Sequence, residues 1–278
     1  MVVFGILKLV ISIGETEKMK YKIIVIKGSS SGIVKYLADY FSADNTVVGL
    51  CRSGGENAIV CDISSNADLD NAVNIIKEKY GRVDVLINNA GYGLTGACEM
   101  LKDEEIKQIF DVDLMGAIYL TKRILPLMQR GGKIVNISSA CALFPLPYRT
   151  MYCSVKAGMN LWSQGLTMEL KDCGIAVTSV CPGDIKTPFT VNRKHDYATN
   201  ERYGDAMQRA DKKVEKKYNS RMELSYAGKV IANICEKDKL KPMYIVGSKY
   251  KFLYFCKRIF PLGMFMHFTQ KLMVPKNK

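Results

Sequence analysis

The sequence predicts an α/β protein with one doubly wound parallel sheet of about seven strands, covered by helices on both faces. Three observations predict it. Short β-rich runs alternate with helix-length segments, the pattern of repeated strand–helix–strand units. The runs are almost wholly apolar, as strands buried on both faces require. A Gly/Ser-rich turn, Lys27-Gly-Ser-Ser-Ser-Gly-Ile33, directly follows the first run and opens a helical pattern.

Taken in order, the expected strands are Lys22–Ile26, Thr46–Leu50, Ala58–Val60, Val83–Asn88, Lys133–Ile137, Ala176–Val180 and Met243–Val246. The first helix places Ile33, Leu37 and Phe41 on one face through their four-residue spacing, which marks a core stripe. Two further helices are expected over Asp103–Met128 and Met151–Leu170. No linker or internal repeat interrupts the chain, so 19–278 reads as one domain, with a substrate lid at 189–226 and a basic, aromatic tail at 247–278. Residues 1–18 are an N-terminal extension, apolar over Met1–Ile13. The extension is shorter than the ~20 apolar residues that span a bilayer, and it lacks the basic segment and cleavage site of a signal peptide. A surface helix, a weak membrane anchor and an extension ahead of a start at Met19 all fit. The last is favoured, because the first strand follows directly.

Composition narrows the chemistry. Nearly half of the 278 residues are apolar, enough for a sizeable core. Nine cysteines, an odd number without a C-x-x-C pair, point to reduced thiols in the cytoplasm. With only His195 and His267 in the chain, histidine-based triads and multi-histidine zinc sites drop out, and no metal is expected. The net charge of +13 is uneven: residues 1–185 carry 19 basic and 19 acidic side chains, and 186–278 carry 21 and 8. No nucleic-acid module accompanies this basic excess, so nucleic acid is not the expected partner.

The most specific local pattern is Met151-Tyr-Cys-Ser-Val-Lys156, with Ser139 thirteen residues before the tyrosine. On a helix, Tyr152 and Lys156 share a face one turn apart. Around them stand the glycine turn, Asn88-Asn-Ala-Gly91 and Pro182-Gly-Asp-Ile-Lys-Thr187. In this order and spacing the four segments resemble the short-chain dehydrogenase/reductase family, specifically over about 21–187 and more loosely beyond. The resemblance implies a Rossmann-type fold, a nicotinamide cofactor and interconversion of a carbonyl and an alcohol. It makes Tyr152 the acid/base, Lys156 its tuner and a ribose ligand, and Ser139 the group that polarises the substrate oxygen. An ammonium beside a phenol stabilises the phenolate, which a tyrosine of ordinary pKa ~10 needs in order to act at neutral pH. The fourth family position carries Asp113 where Asn is usual. Its backbone carbonyl is expected to serve a proton relay, which the added charge alters.

For the cofactor, the resemblance implies Gly28, Ser30, Gly32 and Ile33 at the pyrophosphate, where glycines and a helix N-terminus present amides. Asp62 matches the adenine contact; Asn89, Ala90 and Gly91 line the adenine-side ribose; Gly183, Ile185 and Thr187 hold the nicotinamide end. An acid after the second strand would select NAD, but here Cys51 and Arg52 stand there. Arg52 suits a 2′-phosphate, so NADP is favoured and NAD is the alternative. Two residues depart from the family's Thr-Gly-x-x-x-Gly-Ile-Gly turn. Lys27 replaces Thr, either lending charge to phosphate or pointing to solvent. Val34 replaces the last Gly and could crowd the site.

The tail mixes aromatics, methionines and cations, with nine basic and no acidic residues after Asp238. Its layout resembles that of steroid- and retinoid-acting members, implying a lipophilic ketone or alcohol as the small-molecule substrate. Such a helix either packs on its own core or a partner subunit, or lies peripherally on a membrane. The resemblance also implies a homo-oligomer. The competing class is a family-like binding protein that has lost turnover.

Overall fold

A computed structural model of the protein describes residues 18–28, 31–55, 57–89, 91–187, 189, 194–195, 198–215 and 218–274. Seven strands form one parallel sheet: β1 (Ile23–Lys27), β2 (Thr46–Cys51), β3 (Ala58–Val60), β4 (Val85–Asn89), β6 (Lys133–Ile137), β7 (Ala176–Pro182) and β9 (Met243–Val246). Their order is β3-β2-β1-β4-β6-β7-β9. The chain winds outward from β1 in one direction and from β4 in the other. A crevice therefore opens at the C-terminal ends of β1 and β4, where ligands bind in open α/β sheets. The doubly wound α/β fold read from the sequence is the fold observed, with strand ends moved by one or two residues.

Helices cover both faces because the strands are apolar on both. On one face, α2 (Asn66–Tyr80) and α4 (Gly116–Ile124) pack Leu69, Ile76, Leu120 and Ile124 onto Val25, Leu86 and Ile134. On the other, α1 (Gly32–Phe41) and α7 (Leu224–Glu236) bury Leu37, Phe41 and Ile231 against Ile24, Ile26 and Ile87. α1 corrects one expectation. Its fully buried stripe is Val34, Leu37 and Phe41, whereas Ile33 is half-buried and faces the crevice. Val34 thus turns into the core, filling space between helix and sheet. α2 and α7 were not anticipated individually, although Ser65 caps α2 by accepting from the Asp68 amide.

The helix expected over Asp103–Met128 is broken. α3 (Asp103–Phe110) passes through a π-helical turn, Asp111–Met115, into α4, which ends in a 3-10 turn at Leu125–Leu127. Pro126 explains the end, since it has no N–H to continue the ladder. The π-turn redirects Asp113, as described below. α5 (Thr150–Glu169) matches the expected second helix within one residue.

The segment after β7 contributes two features. β5 (Leu94–Thr95) and β8 (Lys194–His195) form a short parallel ribbon, followed by α6 (Ala206–Glu215). Lys194 Nζ donates to Gln108 Oε1 of α3 at 2.9 Å, and His195 Nδ1 lies 2.8 Å from Asp211 Oδ2 of α6. The tail is two helices, α8 (Ser248–Ile259) and α9 (Leu262–Met273). α9 packs on the core through buried Phe265 and Thr269, with Phe265 stacked 5.9 Å from Phe144. The opposite side of the tail is bare, so the tail both packs on the core and presents an apolar face.

Candidate active site

The sheet gathers the sequence-predicted residues because each lies just after a strand's C-terminal end. Gly28 follows β1, Arg52 β2, Asp62 β3, Asn89 ends β4, Ser139 follows β6 and Gly183 β7. Together with Gly32, Ile33, Gly91, Tyr152, Lys156, Ile185 and Thr187, they line a single cleft of about 730 Å³. Asp113 lies beneath it, fully buried. Ser30 and Ala90 fall outside the described residues.

A buried polar framework fixes the helix that carries Tyr152 and Lys156. Asn88 Nδ2 of β4 donates to Thr121 Oγ1 (2.9 Å) and Asn136 Oδ1 (2.8 Å), and Asn136 Nδ2 donates to Ser163 Oγ (2.8 Å). These bonds tie β4, β6, α4 and α5 into one unit. Ser138 Oγ then donates to the Lys156 carbonyl at 3.1 Å, setting α5 at the level of its lysine. Hydrogen bonds between buried side chains of different elements define a unique register.

Lys156 is 1 % exposed. Its Nζ lies 5.7 Å from the Tyr152 ring centroid and 3.4 Å from Asp113 Oδ2. Tyr152 is buried, with the Phe189 ring 5.9 Å away. Ser139 is half-buried and its Oγ accepts from the Cys141 amide at 3.1 Å, opening a 3-10 turn at Ala140–Leu143. That turn is braced by the tail, since Lys257 Nζ donates to the Leu143 carbonyl at 2.6 Å.

Asp113 is wedged under the loop after β4. Gly91 has φ +61°, and a side chain there would collide with Asp113, its Cβ falling 1.3 Å from Oδ1. The same oxygen accepts from the Tyr92 amide at 3.1 Å. Burial pushes the Asp113 carboxyl up, while the Lys156 and Lys27 ammonium groups and the Tyr92 N–H hold it down.

Lys27 departs from the solvent reading. It lines the cleft yet is only 6 % exposed, and its Nζ donates to the Val112 carbonyl at 3.0 Å. Burial lowers its pKa to about 8 against the attraction of Asp113. Sequence reasoning also passed over Arg149, buried beside the cleft at the start of α5, and Phe189 against the tyrosine ring. Nothing in residue type or spacing marks either one.

The adenine-side end is more open. Arg52 is exposed on the cleft rim, and Asp62 is kept low by hydrogen bonds from the Ser64 hydroxyl and amide, with Arg52 among the charges that help. Cys51 points away, its Sγ donating to the Gly54 carbonyl at 3.3 Å. Gly28 has φ +86° and Gly32, which opens α1, φ +61°, left-handed backbone that glycine adopts without strain.

Comparison with known proteins agrees with this geometry. The family model for short chain dehydrogenases matches residues 22–198. A 3-ketodihydrosphingosine reductase of Bacteroides thetaiotaomicron is 37 % identical over 208 residues, covering 71 % of this chain and 77 % of that protein. A 3-oxoacyl-[acyl-carrier-protein] reductase of Thermotoga maritima is 30 % identical over 191 residues, covering 62 % and 78 %. Among solved structures, a short-chain dehydrogenase from Streptomyces avermitilis superposes with TM-score 0.75 at 23 % identity, covering 91 % of this chain and 97 % of that one. The chain belongs to the short-chain dehydrogenase family of oxidoreductases.

Proposed function

We propose that the protein interconverts a ketone or aldehyde and an alcohol with a nicotinamide dinucleotide, NADP in preference to NAD, and that its substrate is lipophilic. The observation that carries this reading is the convergence of Ser139, Tyr152 and Lys156 at one end of a cleft whose other end holds Gly28, Arg52 and Asp62. The residues present fit such a cofactor. Gly28 and Gly32 line the cleft with φ +86° and +61°, backbone that glycine adopts without strain, and Arg52 follows Cys51 at the end of β2, where an NAD site would carry an acid.

When bound, the nicotinamide supplies or accepts the hydride. Ser139 Oγ orients the substrate oxygen, Tyr152 holds the proton that this oxygen gains or loses, and Lys156 stabilises the phenolate form. Asp113 fixes the loop after β4 and pairs Lys156. Arg52 and Asp62 bind the adenine end, with Asn89 and Gly91 at its ribose and Gly183, Ile185 and Thr187 at the nicotinamide end. Two relatives are named for reduction of a keto group, and Phe189, Tyr92 and Ile185 give this cleft an apolar substrate side. With all nine cysteines as free thiols, a reducing, cytoplasmic setting suits the chain.

Two surfaces extend the reading. Leu161 and Met168 of α5 are exposed, with Tyr119 of α4 partly so, and they form the expected homo-oligomer face. On the tail, Phe252, Phe255, Ile259, Leu262 and Phe268 are more than half exposed among Lys249, Lys251 and Arg258, a composition that suits an anionic membrane surface. Among the described residues no helix is long and apolar enough to cross a membrane. Tyr250 at the start of α8 links this face to the cleft: its Oη donates to Asp184 Oδ2 at 2.6 Å, and its ring lies against Gly183.

Four measurements test the reading. With NADPH and a panel of steroid, long-chain and small ketones, Tyr152→Phe lowers turnover at least about 100-fold; equal rates in the two proteins contradict the catalytic assignment. In fluorescence titrations, Arg52→Glu weakens NADPH binding about tenfold or more and leaves NADH binding within about threefold; equal losses for both remove the NADP assignment. Light scattering gives a mass above one chain, and the protein sediments with phosphatidylglycerol vesicles at low salt and less so at high salt. A monomer would end the oligomer reading, and protein left in the supernatant would end the membrane reading.

A further inference from the structure

Lys156, whose Nζ lies 5.7 Å from the Tyr152 ring centroid, belongs to a cluster of three buried charged residues with Asp113 and Lys27, and Lys27 has no part in the chemistry described above. Lys27 ends β1 and reaches across to the π-helical turn, donating to the Val112 carbonyl at 3.0 Å. The α-helical donor to that carbonyl would be the Gly116 N–H, which here bonds Asp111 instead. The next residue after Val112 is Asp113, whose Oδ2 lies 3.4 Å from Lys156 Nζ. The charged and titratable groups facing Lys27 are Asp113, Lys156, Asp62 and the Cys61 thiol; those facing Asp113 are Lys156, Lys27 and the Tyr92 phenol.

Charge arithmetic gives this arrangement its meaning. An ammonium paired with a carboxylate at close range is largely neutralised as seen by a third group. Asp113 and Lys156 alone would present the phenol with almost no net positive charge. With Lys27 protonated, the three groups carry a net single positive charge. Conversely, two ammonium groups in a dry site cannot both keep their protons without an anion between them.

We propose that Lys27 is a positioning residue for the Tyr152 phenol: it shares the Asp113 carboxylate with Lys156, so that the phenol faces one uncompensated positive charge instead of a neutralised pair. This rests on Tyr152 being the proton-transfer group. Lys27 and Asp113 act as a unit. Without Asp113, Lys27 loses its proton and its influence; without Lys27, Asp113 cancels Lys156.

The test is titration of the Tyr152 phenol by NMR of chains labelled with ¹³Cζ-tyrosine, the resonance being assigned by its loss in Tyr152→Phe. Four chains are compared: the parent, Lys27→Met, Asp113→Asn and the double variant. In the presence of Asp113, Lys27→Met raises the phenol midpoint by about one pH unit; in the Asp113→Asn background the same change moves it by less than about a third of that. Equal shifts in the two backgrounds, or no shift with Asp113 present, overturn the proposal. If Asp113→Asn folds only in combination with Lys27→Met, that dependence supports the unit directly. The parent against Lys27→Met still decides the rest. No turnover is needed, so loss of the enzymatic reading through an active Tyr152→Phe is seen separately.

Stability supplies an independent check. Folding lowers the Lys27 pKa from 10.5 to about 8. Between those values the unfolded chain binds the extra proton, so this lysine makes stability rise with pH across that window. The urea midpoint of the parent, measured against Lys27→Met, gains from pH 8 to 10.5. A constant difference places the Lys27 ammonium in water and contradicts its buried role.

Discussion

A lysine side chain taken out of water must be compensated, and the site is organised around meeting that demand for Lys156. An unpaired buried ammonium costs several kcal/mol or gives up its proton. Here the backbone of Lys156 is held by Ser138 and its Nζ lies beside Asp113. Asp113 in turn is placed by the Tyr92 amide, and only a glycine at position 91 leaves room for its carboxylate. The chain of dependence runs from β6 through α5 to the π-turn and back to the loop after β4. Each of these segments also lines the cleft or lies directly beneath it.

The fold was legible because the sheet is parallel and covered on both faces. Seven apolar runs separated by helix-length segments leave few alternatives, and the strands found differ from those read by a residue or two. The helix boundaries that failed did so for local reasons. Pro126 ends the α-helical ladder, and the π-turn at Asp111–Met115 has no signature in hydrophobic spacing. The β5–β8 ribbon joins two-residue segments about a hundred positions apart, which periodicity cannot detect.

The candidate site was legible where residue spacing and backbone geometry coincide. Tyr152 and Lys156 share a helix turn, and the glycine turn directly follows its strand. It was not legible where side-chain direction decides. Lys27 sits next to Gly28 at the crevice, and spacing alone gives it phosphate or solvent as partners; the three-dimensional packing sends it inward to Val112. In the sequence, Asp113 and Lys27 are departures from the family pattern 86 positions apart, with nothing to relate one side chain to the other. The fold brings the two departures within electrostatic reach of each other. Val34, the third, is absorbed by the core between α1 and the sheet.

Segments C-terminal to β7 contact the cleft directly. Phe189 meets the Tyr152 ring, Lys257 steadies the Ser139 turn, and Tyr250 ties α8 to the loop after β7. The exposed apolar face of the tail therefore belongs to the same structural unit as the cleft. The most direct measurement follows the hydride. With NADPH carrying deuterium at C4 of the nicotinamide and a lipophilic ketone, the label should appear on the carbinol carbon of the alcohol formed. Tight cofactor binding with the deuterium still on the nicotinamide, across a broad set of carbonyl compounds, would contradict the account.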